Sequence, residues 1–229
     1  QPLKSSYQLR LLKITEEILD YKTAAYEKLK QDIVSGKLAP GTVFNEKEYA
    51  AGLGVSRTPV HEAVWQLVGE GLLEVIPRRG TLISHISMED IRQMYEYRKM
   101  LEPQLARRAA AAADRERLAE YRLFFEERRL AADSQEAEDM CKTDEDGEFH
   151  IYLAEASGNR YAVAQMKLMM TQTLRIRSLS NIKTKRRYIE ACEEHIDIID
   201  AVSDGNGEEA ARLMLEHLNN SEQGYRNLI

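Results

Sequence analysis

The sequence predicts a mainly α-helical chain in two parts: an N-terminal winged helix-turn-helix domain, then a C-terminal antiparallel all-helical bundle. Three observations carry this. Apolar residues recur at helical spacing through most of the chain from Thr23 onward. The exception is residues 73–84, where two short apolar runs flank Pro77-Arg78-Arg79-Gly80, the pattern of two strands around a basic tip. Glycine-rich corners, Gly52-Leu53-Gly54-Val55-Ser56 early and Gly205-Asn206-Gly207 late, each separate two helices.

Hydrophobic residues make up 43% of the 229 residues and charged residues 31%, which suits a chain with real cores and long exposed helices. No run approaches the roughly 18 apolar residues of a membrane helix, and the first residues lack the apolar core of a signal peptide. Cys141 and Cys192 form no disulfide framework, so a reduced cytoplasmic setting is expected, without a membrane partner. The net charge of −6 is unevenly placed. Residues 21–85 hold 8 Lys+Arg against 7 Asp+Glu, whereas residues 86–229 hold 21 against 28. Any phosphate binding by the first part must therefore rest on local clustering.

Residues 1–20 read as an N-terminal arm with no assigned function. Residues 21–84 read as the winged domain. Ala25, Leu29, Ile33 and Val34 give a first helix, closed by Ser35-Gly36. Residues 38–42 read as a turn, and a short helix over about 45–52 starts at Asn45, an N-cap with Glu48 three residues on. At the corner that follows, glycine supplies positive φ and Ser56 can cap the next helix. That helix runs to about Glu70, tolerates Pro59 in its first turn, and buries Val60, Val64, Leu67 and Val68. Arg57, Thr58 and His61 point elsewhere, at its N-terminal end, where a helix-turn-helix offers side chains to the major groove. Arg57 at a helix start opposes the dipole, so contact with DNA explains it better than helix stability does. Arg78 and Arg79 fit phosphate or minor-groove contact at a wing tip, with ordinary solvated turn residues as the alternative. Lys47 reads equally as a DNA contact or a surface lysine, and Trp65 as packing between domains.

PGTVFNEKEYAAGLGVSRTPVHEAVWQLVGEGLLEVIPRRGT resembles the DNA-binding domain of GntR-family bacterial transcription regulators, over about 60 residues. The resemblance implies a double-stranded DNA operator as partner. It implies contacts from Lys47, from Ser56, Arg57, Thr58 and His61, and from wing residues Arg78 and Arg79. In that family the positions of Arg57 and His61 are commonly both arginine, so His61 departs from the pattern.

Residues 85–87 read as a linker, with Ser87 capping the first helix of an effector domain over 88–229. Ile91, Met94, Arg98, Leu101 and Leu105 share one stripe of that helix. A guanidinium on an apolar face needs an anionic partner. Glu102 or another internal carboxylate answers that need, and so does a bound carboxylate ligand on arginine's bidentate fork. Further helices follow over 115–132, around DGEFHIYLAEASGN, and over about 161–180, where Met166, Met169 and Met170 read as core. The last two, about 185–203 and 207–221, form a hairpin, giving six or seven helices in one bundle.

Asp146 and His150 are an i, i+4 pair on one helical face. His195 and His217 each lie ten residues from the nearer glycine of Gly205-Asn206-Gly207, roughly 15 Å up each arm of the hairpin. The two rings then lie level across it. Three imidazoles and one carboxylate suit a divalent transition metal: zinc, with nickel or manganese as alternatives. Cys192 shares a face with His195 and reads as a core thiol, with a substitute ligand as the alternative.

DGEFHIYLAEASGN, EEHIDIIDAVSDGNGEEAARLMLEHL and YEYRKMLEP resemble the C-terminal effector domain of the FadR subfamily, called FCD. In many of its members an Asp and three His bind a divalent metal in a helical bundle. The matching positions here are Asp146, His150, His195 and His217. The resemblance also implies a small carboxylate effector, with Arg98 lining its cavity and Arg175 a weaker candidate. The expected protein is a homodimeric regulator, a repressor relieved by a small organic acid. A metalloenzyme with Glu194 or Glu148 as base is the competing class, against which stands the absence of H-E-x-x-H. A third reading makes the metal purely structural.

Overall fold

The computed structural model describes residues 21–131, 145–179 and 185–226. The N-terminal arm and Cys141 lie outside the described residues. The chain divides between His85 and Ile86 into two compact units.

In the first unit, helix α1 is described over residues 21–34 and packs Ala25, Leu29 and Ile33 into the core. Strand β1 (Val43–Phe44) follows, then α2 (Glu46–Leu53), α3 (Arg57–Gly69), β2 (Leu73–Ile76) and β3 (Gly80–Ile83). The sheet order is β1-β3-β2, all antiparallel, with Phe44 opposite Thr81 and Ile76 opposite Gly80. Strand β1 lies just past the stretch read as a turn. Two residues are too few to show alternation, so only its pairing with β3 defines it.

Asn45 caps α2 as expected, its side chain accepting from the amides of Lys47 and Glu48. Gly54 closes α2 at φ 69°, a left-handed conformation that favours glycine. Ser56 stands at the N-cap of α3 with extended backbone, but its hydroxyl makes no capping hydrogen bond. The cap expectation therefore holds in backbone only. Val60, Ala63, Val64 and Leu67 bury one face of α3 against Leu29, Ile33 and Leu73.

The second unit is helical. Helix α4 (Met88–Ala109) opens with a full capping box between Ser87 and Asp90. It is followed by α5 (Arg115–Ala131), α6 (Glu145–Ala156), α7 (Arg160–Leu179), α8 (Lys185–Ser203) and α9 (Gly207–Arg226). Helix α4 packs on α9 and α6, α5 on α8, α6 on α7, and α8 on α9. Met166 and Met170 are buried with Leu105, Ala154 and Ala162, as core.

The buried stripe of α4 differs from the sequence expectation. It runs through Ile91, Tyr95, Arg98, Glu102, Leu105 and Ala109, while Met94 and Leu101 are only half-buried. The two stripes have the same helical spacing, and the apolar pattern favours the one without a carboxylate. Glu102 is tolerated inside because Arg98 and a histidine share its charge.

A buried histidine cluster and an exposed recognition helix

The last hairpin is set by three residues. Asn206 caps α9, its side chain accepting from the amide of Glu209. Gly205 takes the left-handed turn at φ 73°. A β-carbon on Gly207 would lie 2.6 Å from the carbonyl oxygen of Arg107, so only glycine lets α9 start this close to the end of α4. The hairpin puts the rings of His195 (α8) and His217 (α9) 4.4 Å apart, centroid to centroid. His150, from α6, lies 5.4 Å from each. All three are buried, and one nitrogen of each falls within 4.8 Å of the others. The closest approach is Nε2 of His150 to Nε2 of His195, 3.3 Å.

Asp146 places Oδ1 3.3 Å from Nε2 of His195, beside the triad rather than within its tightest grouping. Its other oxygen accepts from Arg177 of α7 at 2.6 Å. Nδ1 of His217 faces Glu194 Oε2 at 2.7 Å, and Glu194 also accepts from both terminal nitrogens of Arg187 and from Asn220. Nδ1 of His150 lies 2.6 Å from Glu102 Oε2, close but poorly aligned for a hydrogen bond. Arg98 forks onto Glu102 and reaches Thr173 of α7. His195 lies flat on Phe125 of α5, centroids 4.4 Å apart at 19°. Each of the six described helices of this unit thus contributes a side chain to the site.

Burial, together with the neighbouring histidines, pushes His195 well below its ordinary value. Burial likewise lowers His217, against the pull of Glu194. Burial alone would raise Asp146, but Arg177 and the three histidines hold its carboxyl well below the usual range. Glu102 is brought down to about 2, because Arg98 and His150 outweigh its burial. Glu194 is brought to about 2 in the same way by His217, Arg187 and Asn220. The donor set fits a divalent transition ion. Three buried imidazoles converge, carboxylates lie at two of their far nitrogens, and a third carboxylate stands alongside. Glu194, considered from the sequence as a catalytic base, is instead fully committed to three partners and too acidic to take a proton at neutral pH. Among the described residues, Cys192 does not join this grouping.

The two arginines expected to line an effector cavity are placed differently. Arg98 joins the site through Glu102. Arg175 is buried on α7 and its guanidinium is lowered by that burial. It is two residues from both Thr173 and Arg177, about 200° around the helix from the face that reaches Arg98 and Asp146. Six residues of the site were not singled out from the sequence: Glu102 as a histidine partner, Phe125, Thr173, Arg177, Arg187 and Asn220. Only Glu102 left a signal, at i+4 from Arg98.

In the first unit Lys47, Ser56, Arg57, Thr58, His61, Arg78 and Arg79 are all exposed. Arg57 Nε donates to Glu46 Oε2 at 3.0 Å, and His61 Nδ1 lies 3.1 Å from the same oxygen. Trp65 is exposed, and its indole N–H donates to His61 Nε2 at 3.1 Å. An indole can only donate, so this contact puts the His61 proton on Nδ1, facing Glu46. At the wing, the amide of Arg79 donates to the carbonyl of Ile76, and Arg78 sits at φ 67° between them. No helix among the described residues is long and apolar enough to cross a membrane.

Known proteins agree with both halves. The model of bacterial regulatory proteins of the gntR family matches residues 21–83, and that of the FCD domain matches residues 93–220. The chain is 32% identical over 185 residues to the Nta operon transcriptional regulator of Aminobacter aminovorans, covering 81% of this chain and 85% of that one. It is 30% identical over 222 residues to the HTH-type transcriptional regulator LutR of Bacillus subtilis, covering 83% and 94%. It is 28% identical over 205 residues to the HTH-type transcriptional repressor RspR of Escherichia coli, covering 89% and 88%. Among solved structures, E. coli McbR/YncC shares the fold with a TM-score of 0.75 at 19% identity, over 91% of this chain and 99% of that one. The relatives are transcription regulators, not enzymes, which removes the metalloenzyme reading. The chain belongs to the GntR family of DNA-binding bacterial transcription regulators, of the kind that carries an FCD domain.

Proposed function

We propose that the protein is a ligand-responsive repressor, acting as a cytoplasmic homodimer on a pseudo-palindromic operator. Its effector domain would hold a divalent transition metal, zinc first among the candidates, on Asp146, His150, His195 and His217. The metal would supply a Lewis-acidic coordination position for the carboxylate of a small organic acid. Arg98 reaches the site through Glu102, whereas Arg175 lies on another side of α7 from the face that meets Asp146. DNA would be met by Ser56, Arg57, Thr58 and His61 at the start of α3, by Lys47 from α2, and by Arg78 and Arg79 at the wing. Dimerisation follows from half-site logic, and the repressor sign is supported by the name of the E. coli relative.

The observation that carries the sensor reading is the convergence of three buried imidazoles, one nitrogen of each within 4.8 Å of the others. Metal analysis of the purified protein against His195→Ala tests it. The wild type should carry one equivalent that the variant lacks, and equal content in both would sink the reading. A thermal-shift screen of organic acids, with and without chelator, separates a sensor from a structural metal. A sensor is stabilised by an acid only when metal is present.

A further inference from the structure

The three acids around the histidines share a pattern. Glu102 stands between Arg98 and His150, Glu194 between Arg187 and His217, and Asp146 between Arg177 and His195. They differ in which ring nitrogen they face. Glu102 and Glu194 lie at Nδ1, whereas Asp146 lies at Nε2, the side on which His150 and His195 meet. A carboxylate accepting from Nδ1 holds the proton there and leaves Nε2 as a lone pair. Glu194 is placed to do this for His217, and Glu102 lies 2.6 Å from His150 Nδ1 but needs a turn of the ring to line up. An arginine fork holds each glutamate in place for that task. Arg98 lays Nε and one terminal nitrogen on Glu102, and Arg187 lays both terminal nitrogens on Glu194.

We propose that Glu102 and Glu194 are positioning residues for the metal, and that Arg98 acts on metal affinity through Glu102 and His150. This rests on the metal reading above and deepens it. Arg98 was singled out as an effector contact, but its fork is already occupied by a buried carboxylate. An acid drawn toward Arg98 must compete with Glu102 for that fork. Occupancy of the effector position and the orientation of His150 are thereby linked by one side chain. Linkage of this kind is reciprocal: whatever factor an acid at Arg98 imposes on metal affinity, the metal imposes on the affinity for that acid.

The test uses the full-length protein and a chromophoric chelator that competes for Zn²⁺. Glu102→Gln and Glu194→Gln keep the shape of the side chain but lose the charge, and each should weaken Zn²⁺ binding by about 10- to 100-fold. Arg98→Lys should weaken it several-fold in the wild-type background and have no further effect on top of Glu102→Gln. The visible spectrum of the Co²⁺-loaded protein supplies a readout that a general loss of stability would not move, and it should change in both glutamine variants. Circular dichroism and thermal melts of the metal-free proteins identify any variant that has not folded. Glu194→Gln, on another helix, carries the same test if Glu102→Gln does not fold. Folded glutamine variants that bind Zn²⁺ as the wild type does, with an unchanged Co²⁺ spectrum, overturn the proposal and leave the metal site standing. Wild-type protein that binds no Zn²⁺ overturns both. Equal, independent effects of Arg98→Lys in the two backgrounds overturn the route through Glu102.

Discussion

The carboxylate of Glu46, the first residue of α2, holds Arg57, the first residue of α3, at 3.0 Å across the turn. Glu46 is itself half-buried, so this is a fixed acceptor rather than a passing surface ion pair. It orients a residue expected to read DNA and at the same time adds a negative charge to the face expected to meet phosphates. Arg57→Ala should cost at least about tenfold in operator affinity and reduce the salt slope by about one. Glu46→Gln should instead raise affinity for unrelated DNA while lowering the ratio of operator to unrelated binding. Anisotropy titrations at several salt concentrations measure both. An unchanged ratio in Glu46→Gln would show that the orientation is immaterial.

Arg78 occupies left-handed backbone at the wing tip, where glycine or asparagine is the usual choice. A non-glycine residue there carries a conformational cost, which function explains better than stability does. Arg78→Gly should leave the fold as stable or up to about 1 kcal/mol more stable, since relief of the backbone is partly offset by the freer unfolded chain. DNA affinity should fall in the same variant. Urea melts and binding titrations on one preparation decide it, and a clear loss of stability contradicts the argument.

Asp32 is a buried carboxylate tied to Lys28 at 2.8 Å, Lys37 at 3.2 Å and the Tyr49 hydroxyl at 2.9 Å. Burial would raise its pKa, but Lys28, Tyr49 and Lys37 outweigh that and lower it. A carboxylate lowered in the folded state adds stability that is fully present above its unfolded value of about 3.9, and that is lost as pH falls through the folded value. Asp32→Asn should destabilise the first unit by about 2 kcal/mol near neutrality and flatten its acid dependence below about pH 4. Denaturant melts from pH 6 downward give both numbers. Parallel acid slopes in wild type and variant would exclude Asp32 as the titrating group.

Gly207 allows the start of α9 to lie against the Arg107 carbonyl. Gly207→Ala meets backbone rather than a flexible side chain, so α9 must shift. A loss of about 1 to 3 kcal/mol is expected, with weaker Zn²⁺ binding because His217 rides on the displaced helix. Normal stability and metal affinity together would show that the helix ends have room.

What the sequence makes legible here is what local periodicity can encode. The equal ten-residue arms from Gly205 and Gly207 bring His195 and His217 level, and Asp146 and His150 share a face because both lie on one helix. Glu102 is harder to read, because its meaning depends on α6 packing against α4 and bringing His150 to it. Arg177 is hidden for a similar reason. Arg175 and Arg177 look alike in sequence, and only the rotation of α7 decides which one meets Asp146. Strand β1 and the bare hydroxyl of Ser56 also depend on neighbours distant in sequence or on fine geometry.

The hydrogen bond from Trp65 to His61 has a practical side. The chain has one tryptophan, and it stands exposed on the recognition helix, one turn from a ring tied to Glu46. All of the indole emission therefore originates at the reading head, with none contributed by the histidine-bearing bundle. Docking on an operator, or an acid bound in the other unit that alters this helix, would register as a colour or intensity change in unlabelled protein. The molecule is, in effect, supplied with its own lamp at the one place where its output is delivered.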